Sequence, residues 1–211
     1  MLKVAKFGGT SLADAAQFKK VYEIVKNNNE RKYVVVSAPG KRFKDDNKIT
    51  DLLYLVYAHL KYSVPYDPVL KIIEERFNLI KKELNLNTDL DREFKTIRQN
   101  LDSKCDEDYV VSRGEYLCGL LMADYLECDF VDARDVILFN YDGTVNQERT
   151  GKKLTEALSK TNKAVIPGFY GSYPDAAIKT FSRGGSDITG AIVSVLWGLI
   201  YMKTGLTYPD F

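Results

Sequence analysis

The sequence predicts an α/β fold organised around a mostly parallel sheet, and three observations carry that expectation. Tyr33-Val34-Val35-Val36 is a β-branched run without alternation, the pattern of a parallel strand buried on both faces. Stretches with apolar residues at helical spacing stand between it and other short apolar runs, so strand and helix alternate along the chain. Polar, glycine-bearing turns follow several of the candidate strands, and open parallel sheets gather their ligands at such carboxyl ends.

The elements follow in order. Val4 opens a short strand that breaks at Gly8-Gly9. Thr10-Ser11-Leu12-Ala13-Asp14 then reads as a helix start, with Ser11 as N-cap and Asp14 placed in capping-box fashion. Phe18, Val21, Tyr22 and Val25 continue that helix until Asn27-Asn28-Asn29 ends it. The strand at Tyr33–Val36 stops at Ser37-Ala38-Pro39-Gly40, and a polar loop covers Lys41 to Lys48. A helix begins near Thr50 with Leu52, Leu53, Leu55 and Val56, and Pro65 and Pro68 break the chain again. Val69, Ile72, Ile73, Phe77, Ile80 and Leu84 form one amphipathic stripe, and Leu90, Phe94, Ile97 and Leu101 form another. Both read as core. Ser112-Arg113-Gly114-Glu115 is expected to precede a further helix carrying Leu117, Leu120, Leu121 and Leu126. Phe130-Val131 and Ala164-Val165-Ile166 read as later strands.

Composition excludes several function classes. Hydrophobic residues make up 45% and charged residues 28% of the 211, too apolar for a disordered chain. Thirty basic side chains stand against 29 acidic ones, which argues against nucleic acid as a partner, since phosphate-backbone binders carry a basic excess. Cys105, Cys118 and Cys128 are too few and too irregular for a disulfide framework. With His59 as the single histidine, no zinc-type cluster can be assembled, and a metal would be a hard ion held by oxygens or by substrate phosphates. No metal-ligating residues are therefore assigned. The first residues lack the apolar run of a signal peptide, so the cytoplasm is the expected location. Ile188 to Met202 is almost wholly apolar but at 15 residues falls short of the ~20 that span a bilayer. It reads as a buried helix, and no membrane association is expected.

Three loops could carry chemistry. In Lys6-Phe7-Gly8-Gly9-Thr10-Ser11 the glycines let backbone approach a bulky anion, the following helix start offers free N–H groups, and Lys6 adds a cation. The same pattern is often only a tight turn. Ser37 and Thr50 carry hydroxyls that could bond a carboxylate or merely cap helices. Ser182-Arg183-Gly184-Gly185-Ser186-Asp187 is a second glycine loop entering a helix. Arg183 is suited to two-pronged carboxylate binding, the plain alternative being a surface arginine beside a capped helix start.

Taken together and in this order, Lys-Phe-Gly-Gly-Thr-Ser, Val-Val-Ser-Ala-Pro-Gly, Ser-Arg-Gly-Glu, Gly-Phe-Tyr-Gly and Arg-Gly-Gly-Ser-Asp resemble the aspartate kinases. The resemblance runs from Lys3 to about Ser194, and the Ser-Arg-Gly-Glu element separates that family from others of the amino-acid-kinase fold. It implies a three-layer α/β/α sandwich of the amino-acid-kinase, or carbamate-kinase-like, type, incomplete at the C-terminus. It further implies ATP-dependent phosphorylation of the L-aspartate side chain, the first step towards lysine, threonine and methionine. L-aspartate and ATP are the implied partners, Mg²⁺ travels with the nucleotide, and the parent enzyme is a homo-oligomer. Carried over residue by residue, Lys6 neutralises charge on the transferring phosphoryl group. Gly8, Gly9, Thr10 and Ser11 form the phosphate-binding turn. Ser37 and Thr50 lie near the reacting carboxylate, Glu115 holds the ammonium, Arg183 the α-carboxylate, Ser186 assists, and Asp187 orients Lys6 or the attacking group. The loop from Lys41 to Asn47 is longer and more charged than the family's shortest versions.

The resemblance assigns residues 1–194 to the aspartate-binding part of the kinase domain and lacks a nucleotide-binding lobe and ACT regulatory domains. Residues 195–211 read as a frameshifted tail. In the frame starting at the third base of each codon, Leu196 to Phe211 can spell Val-Gly-Ala-Asp-Leu-Tyr-Glu-Asn-Trp-Thr-Asp-Val-Ser-Gly-Phe, which contains the family's Trp-Thr-Asp-Val nucleotide element. The isolated chain is accordingly expected to be inactive. The competing expectations are a non-catalytic binding or oligomerisation fragment, and another kinase of the same fold.

Overall fold

The computed structural model describes residues 3–182, 184–196 and 202–204. Strands β1 (Lys3–Phe7), β2 (Arg31–Val36), β3 (Asp129–Phe130), β4 (Ala164–Pro167) and β7 (Met202–Thr204) form one sheet in the order β3-β4-β2-β1-β7. Every pairing in it is parallel. β5 (Tyr170–Ser172) and β6 (Ile178–Thr180) make a separate antiparallel pair. The helices are α1 (Ala15–Lys26), α2 (Ile49–Lys61), α3 (Asp67–Leu84), α4 (Leu90–Asp102), α5 (Glu107–Leu126), α6 (Ala133–Val136), α7 (Gln147–Leu158) and α8 (Gly185–Leu196).

The central strand explains the three layers. Tyr33, Val34, Val35 and Val36 are all buried, and successive side chains point to opposite faces of a strand. Val34 and Val36 enter a core with Phe18, Leu53, Phe77 and Leu121, supplied by the helices of one layer. Tyr33 and Val35 enter a second core with Phe139, Leu154, Ile166 and Val193 on the other face. The expected α/β/α sandwich with a parallel sheet is the fold observed.

Most helices end where their sequence says they should. Asn27 caps the end of α1, Pro68 sits in the first turn of α3, and Asn85 closes α3 in the left-handed conformation at φ 53°. Phe77 and Phe94 pack across α3 and α4 with centroids 6.4 Å apart, so both stripes are core. Leu55 and Ile72, expected inside, are 44% and 51% exposed. Each lies just off the buried stripe of its helix.

Three expectations are corrected. Ser11 does not cap α1: it lies in a 3-10 turn, Gly9–Leu12, and Asp14 is the cap, its carboxylate accepting from the Gln17 N–H at 2.9 Å. Asp14 is thus the first capping residue rather than the second half of a capping box. Ser112 to Glu115 lie inside α5 rather than before it. α5 is buried around most of its circumference, so no stripe marks its start, and Gly114 reads locally as a breaker. Of the apolar run from Ile188, the residues to Leu196 belong to α8, and Met202, expected in the same helix, opens β7. Val195 is 72% exposed, so that run is not a fully buried helix. Residues 197–201 and 205–211, most of the tail assigned to a shifted frame, lie outside the described residues. Among the described residues no helix is long and apolar enough to cross a membrane.

Candidate active site

β1, β2 and β4 are neighbours in the sheet, so the turns at their carboxyl ends, beginning at Gly8, Ser37 and Gly168, emerge side by side. Backbone contact fixes their spacing. Gly40 N–H donates to Gly9 O at 2.7 Å, and a Cβ on Gly40 would stand 2.6 Å from the Gly9 carbonyl carbon. The two loops touch so closely that any side chain at Gly40 would push them apart. Ser37 N–H donates back to Phe7 O at 3.2 Å, and Gly168 N–H to Val36 O at 2.8 Å.

The third turn is tied to α8 in the same way. A Cβ on Gly168 would stand 2.7 Å from the Cα, Cβ and Oγ of Ser186, and one on Gly185 would meet Phe169 at 2.7 Å. Phe169 N–H donates to Thr189 Oγ1 at 3.2 Å, and that hydroxyl donates to Gly185 O at 2.9 Å. Ser186 is thereby buried against the β4 turn. Asp187, one residue further, reaches across to β1: its Oδ1 stands 2.9 Å from Lys6 Nζ. Lys6 is nearly buried, whereas the Asp187 side chain is 53% exposed.

A cavity of about 330 Å³ lies between these turns, lined by Gly9, Thr10, Ser37, Lys48, Thr50 and Glu115 among others. Thr50 is the second residue of α2, whose N-cap is Lys48 with no side-chain bond, so its hydroxyl is not spent on capping. Glu115 arrives from α5. A Cβ on Gly114 would stand 2.8 Å from the Ala38 Cβ and 3.1 Å from Leu53, so the glycine lets α5 press against the β2 turn and deliver the next side chain to it. Glu115 is 5% exposed. Burial pushes its carboxyl up to about 8, against the pull of backbone hydrogen bonds from Ala38 and of the charges on Arg113 and Lys6. Its Oε2 has no hydrogen-bond partner. An orphaned, buried carboxylate oxygen at a cavity wall is a strong site for a cation with several donors, such as an ammonium.

The structure therefore brings Gly9, Thr10, Ser37, Thr50 and Glu115 to one cavity and pairs Lys6 with Asp187 beside it. Gly8 lies next to Lys6, its position for a Cβ 3.6 Å from Lys6 Nζ. Ser11 sits in the 3-10 turn behind Thr10, its N–H donating to Gly8 O at 3.0 Å, and does not line the cavity. Arg183 lies outside the described residues. Lys41 and Lys48 also line the cavity and are not singled out by sequence, where nothing sets them apart from the other lysine of that charged loop. A larger, open hollow of about 480 Å³ lies at the amino ends of β3 and β4, bordered by Asp124, Cys128 and Lys163. It has none of the glycine turns.

Among the described residues no group of three or more His, Cys, Asp or Glu is placed to hold a metal ion. The donor set near Lys6, a buried cation with glycine-turn backbone, suits phosphate oxygens.

The comparisons with known proteins point one way. Aspartokinase 3 of Bacillus subtilis is 34% identical over 210 residues, covering 92% of this chain and 46% of its own. The crystal structure of aspartate kinase from Clostridium acetobutylicum superposes with a TM-score of 0.93 at 46% identity, over 96% of this chain and 47% of that one. Escherichia coli aspartokinase III, solved with aspartate and ADP, matches with a TM-score of 0.80 at 22% identity, over 97% and 48%, and shows the same fold. The chain spans about half the length of the relatives it matches. The sequence pattern of the amino acid kinase family matches residues 1–201, and the chain belongs to that family.

Proposed function

We propose that this chain is the aspartate-binding part of an aspartate kinase, which transfers the γ-phosphoryl group of ATP to the side-chain carboxylate of L-aspartate and yields 4-phospho-L-aspartate and ADP. The observation that carries the reading is Glu115, a buried carboxylate with an unpartnered oxygen on the wall of a cavity it shares with Ser37 and Thr50. A pocket for a dicarboxylic acid alone would have no use for it, whereas an amino acid brings an ammonium to that oxygen.

The remaining roles rest on the likeness to aspartokinases together with the charge and chemistry of each side chain. A carboxylate nucleophile is ionised at neutral pH, so the protein has no proton to remove and its work is alignment and charge stabilisation. One carboxylate oxygen forms a bond to phosphorus as the bond to ADP breaks. Lys6 offsets the charge that gathers there, and Asp187 holds its ammonium. The Gly8-Gly9-Thr10-Ser11 turn supplies backbone donors to phosphate, Ser37 and Thr50 steer the reacting carboxylate, Ser186 supports it from α8, and Arg183 takes the α-carboxylate. Mg²⁺ would arrive with ATP and would offset charge on its phosphates, and no residue of this chain is assigned to hold it. The finer expectations, a homo-oligomeric cytoplasmic enzyme at the head of lysine, threonine and methionine synthesis, rest on the likeness to aspartokinases.

Calorimetric titration tests the reading. L-Aspartate should bind saturably, and succinate, which lacks the ammonium, should bind much more weakly. Equal binding of the two would remove the role of Glu115, and absence of binding to either would leave a non-catalytic fragment as the better description.

A further inference from the structure

We propose that Arg76, on a helix that does not line the aspartate cavity, is a positioning residue for it, tying together the two loops that form its walls. The inference rests on the functional reading above for what the cavity holds, and on geometry alone for the tie.

Arg76 is 5% exposed, and burying a guanidinium is costly unless its donors are used. Its two terminal nitrogens are used on backbone, while Nε, also buried, has no partner. Nη1 donates to Asn47 O at 2.7 Å, and Nη2 donates to Ala13 O at 3.2 Å and to Gly40 O at short range. Ala13 ends the turn that begins at Gly9. Gly40 and Asn47 stand at the two ends of the charged loop that carries Lys41 and leads to Lys48 and Thr50. One side chain from α3 thus spans both sides of the Gly9–Gly40 contact.

The simpler account, an ion pair with Asp46, fits less well. Arg76 Nη1 is 3.4 Å from Asp46 Oδ2. Asp46 is already engaged by Arg42 through its backbone N–H at 2.9 Å, its Nε at 2.8 Å and its Nη2 at 2.9 Å. The closer partners of Arg76 are the carbonyls, which need a planar fork rather than a charge.

That difference sets the experiment. Arg76→Lys keeps a cation opposite Asp46 but cannot span three carbonyls. In the 211-residue chain, amide exchange at Gly40 and Ile49, whose N–H groups bond Gly9 O and Pro39 O, should speed up about tenfold while α4 and α7 keep their protection. L-Aspartate affinity should fall about tenfold at a temperature where the variant is folded. A residue that merely stabilises the domain would raise exchange everywhere and leave affinity untouched. Exchange and affinity within about twofold of the parent would overturn the proposal. Should the parent chain fail to bind aspartate, the functional reading falls, and the exchange comparison still decides the tie. Arg76→Gln carries the same expectation if the lysine variant does not fold. Failure of both to fold would make Arg76 a residue of global stability and end the proposal.

Discussion

Lys6 Nζ and Asp187 Oδ1 meet at 2.9 Å although their residues lie 181 positions apart, one on strand β1 and the other in the first turn of α8. The pair closes the site across the sheet end. Its exposed carboxylate and sheltered ammonium are arranged so that Lys6 is held without being neutralised by a buried partner.

Replacing Lys6 by alanine should therefore act on transfer rather than on binding. In any chain in which this domain phosphorylates aspartate, Lys6→Ala should lower turnover by about 10²–10³ and leave aspartate affinity nearly unchanged. Coupled ADP release and calorimetry, run side by side, check the split. Turnover near that of the parent would remove Lys6 from the chemistry.

Glu115 predicts a pH signature. Its carboxyl is raised from 4.5 to about 8 in the fold, so the folded chain holds a proton that the unfolded chain releases between those values. Its contribution to stability is full below about 4.5 and is lost as pH rises towards 8. Glu115→Gln should flatten that decline in denaturant midpoints. An aspartate ammonium beside the carboxylate favours the charged form, so binding at neutral pH should release close to one proton and tighten as pH rises to about 8. Titrations in buffers of different ionisation enthalpy measure the released proton. A binding heat independent of buffer would contradict the pairing.

The glycine contacts predict losses of stability that no charge explains. A methyl group on Gly168 would stand 2.7 Å from the Ser186 backbone, and one on Gly114 2.8 Å from Ala38. Gly168→Ala and Gly114→Ala should each cost about 1–3 kcal/mol in urea unfolding. Gly151, with nothing within 4 Å of such a methyl, serves as the control, and Gly151→Ala should be neutral or slightly stabilising as a helix substitution.

Thr50→Val separates binding from folding. The hydroxyl does not cap α2, so stability should change by less than about 1 kcal/mol. Aspartate affinity should fall about tenfold through the lost hydrogen bond. An unchanged affinity would move Thr50 out of the site.

The sheet was legible because its central strand is buried on both faces: four consecutive apolar residues at Tyr33–Val36 allow no reading except a parallel strand or a helix too short to stand. The glycine turns were legible for the same physical reason, since close backbone approach tolerates nothing larger. α5 was misjudged at its start because a helix surrounded by protein shows no stripe, and Gly114 marks a tight crossing rather than an end. The β5–β6 pair and α7 went unread: three-residue strands carry too little pattern, and α7 buries only Thr150, Leu154 and Leu158. Lys6, Ser37 and Glu115 were found through the order of their motifs. Arg76 belongs to no motif, and its role appears only when α3 is folded against the loops.

The most direct test of the account is a crystal structure of the chain with L-aspartate bound. The account predicts the amino acid in the cavity between the β1 and β2 turns, its ammonium on Glu115 Oε2 and its side-chain carboxylate turned towards Lys6. Aspartate bound elsewhere, or seated there with its ammonium facing away from Glu115, would contradict it.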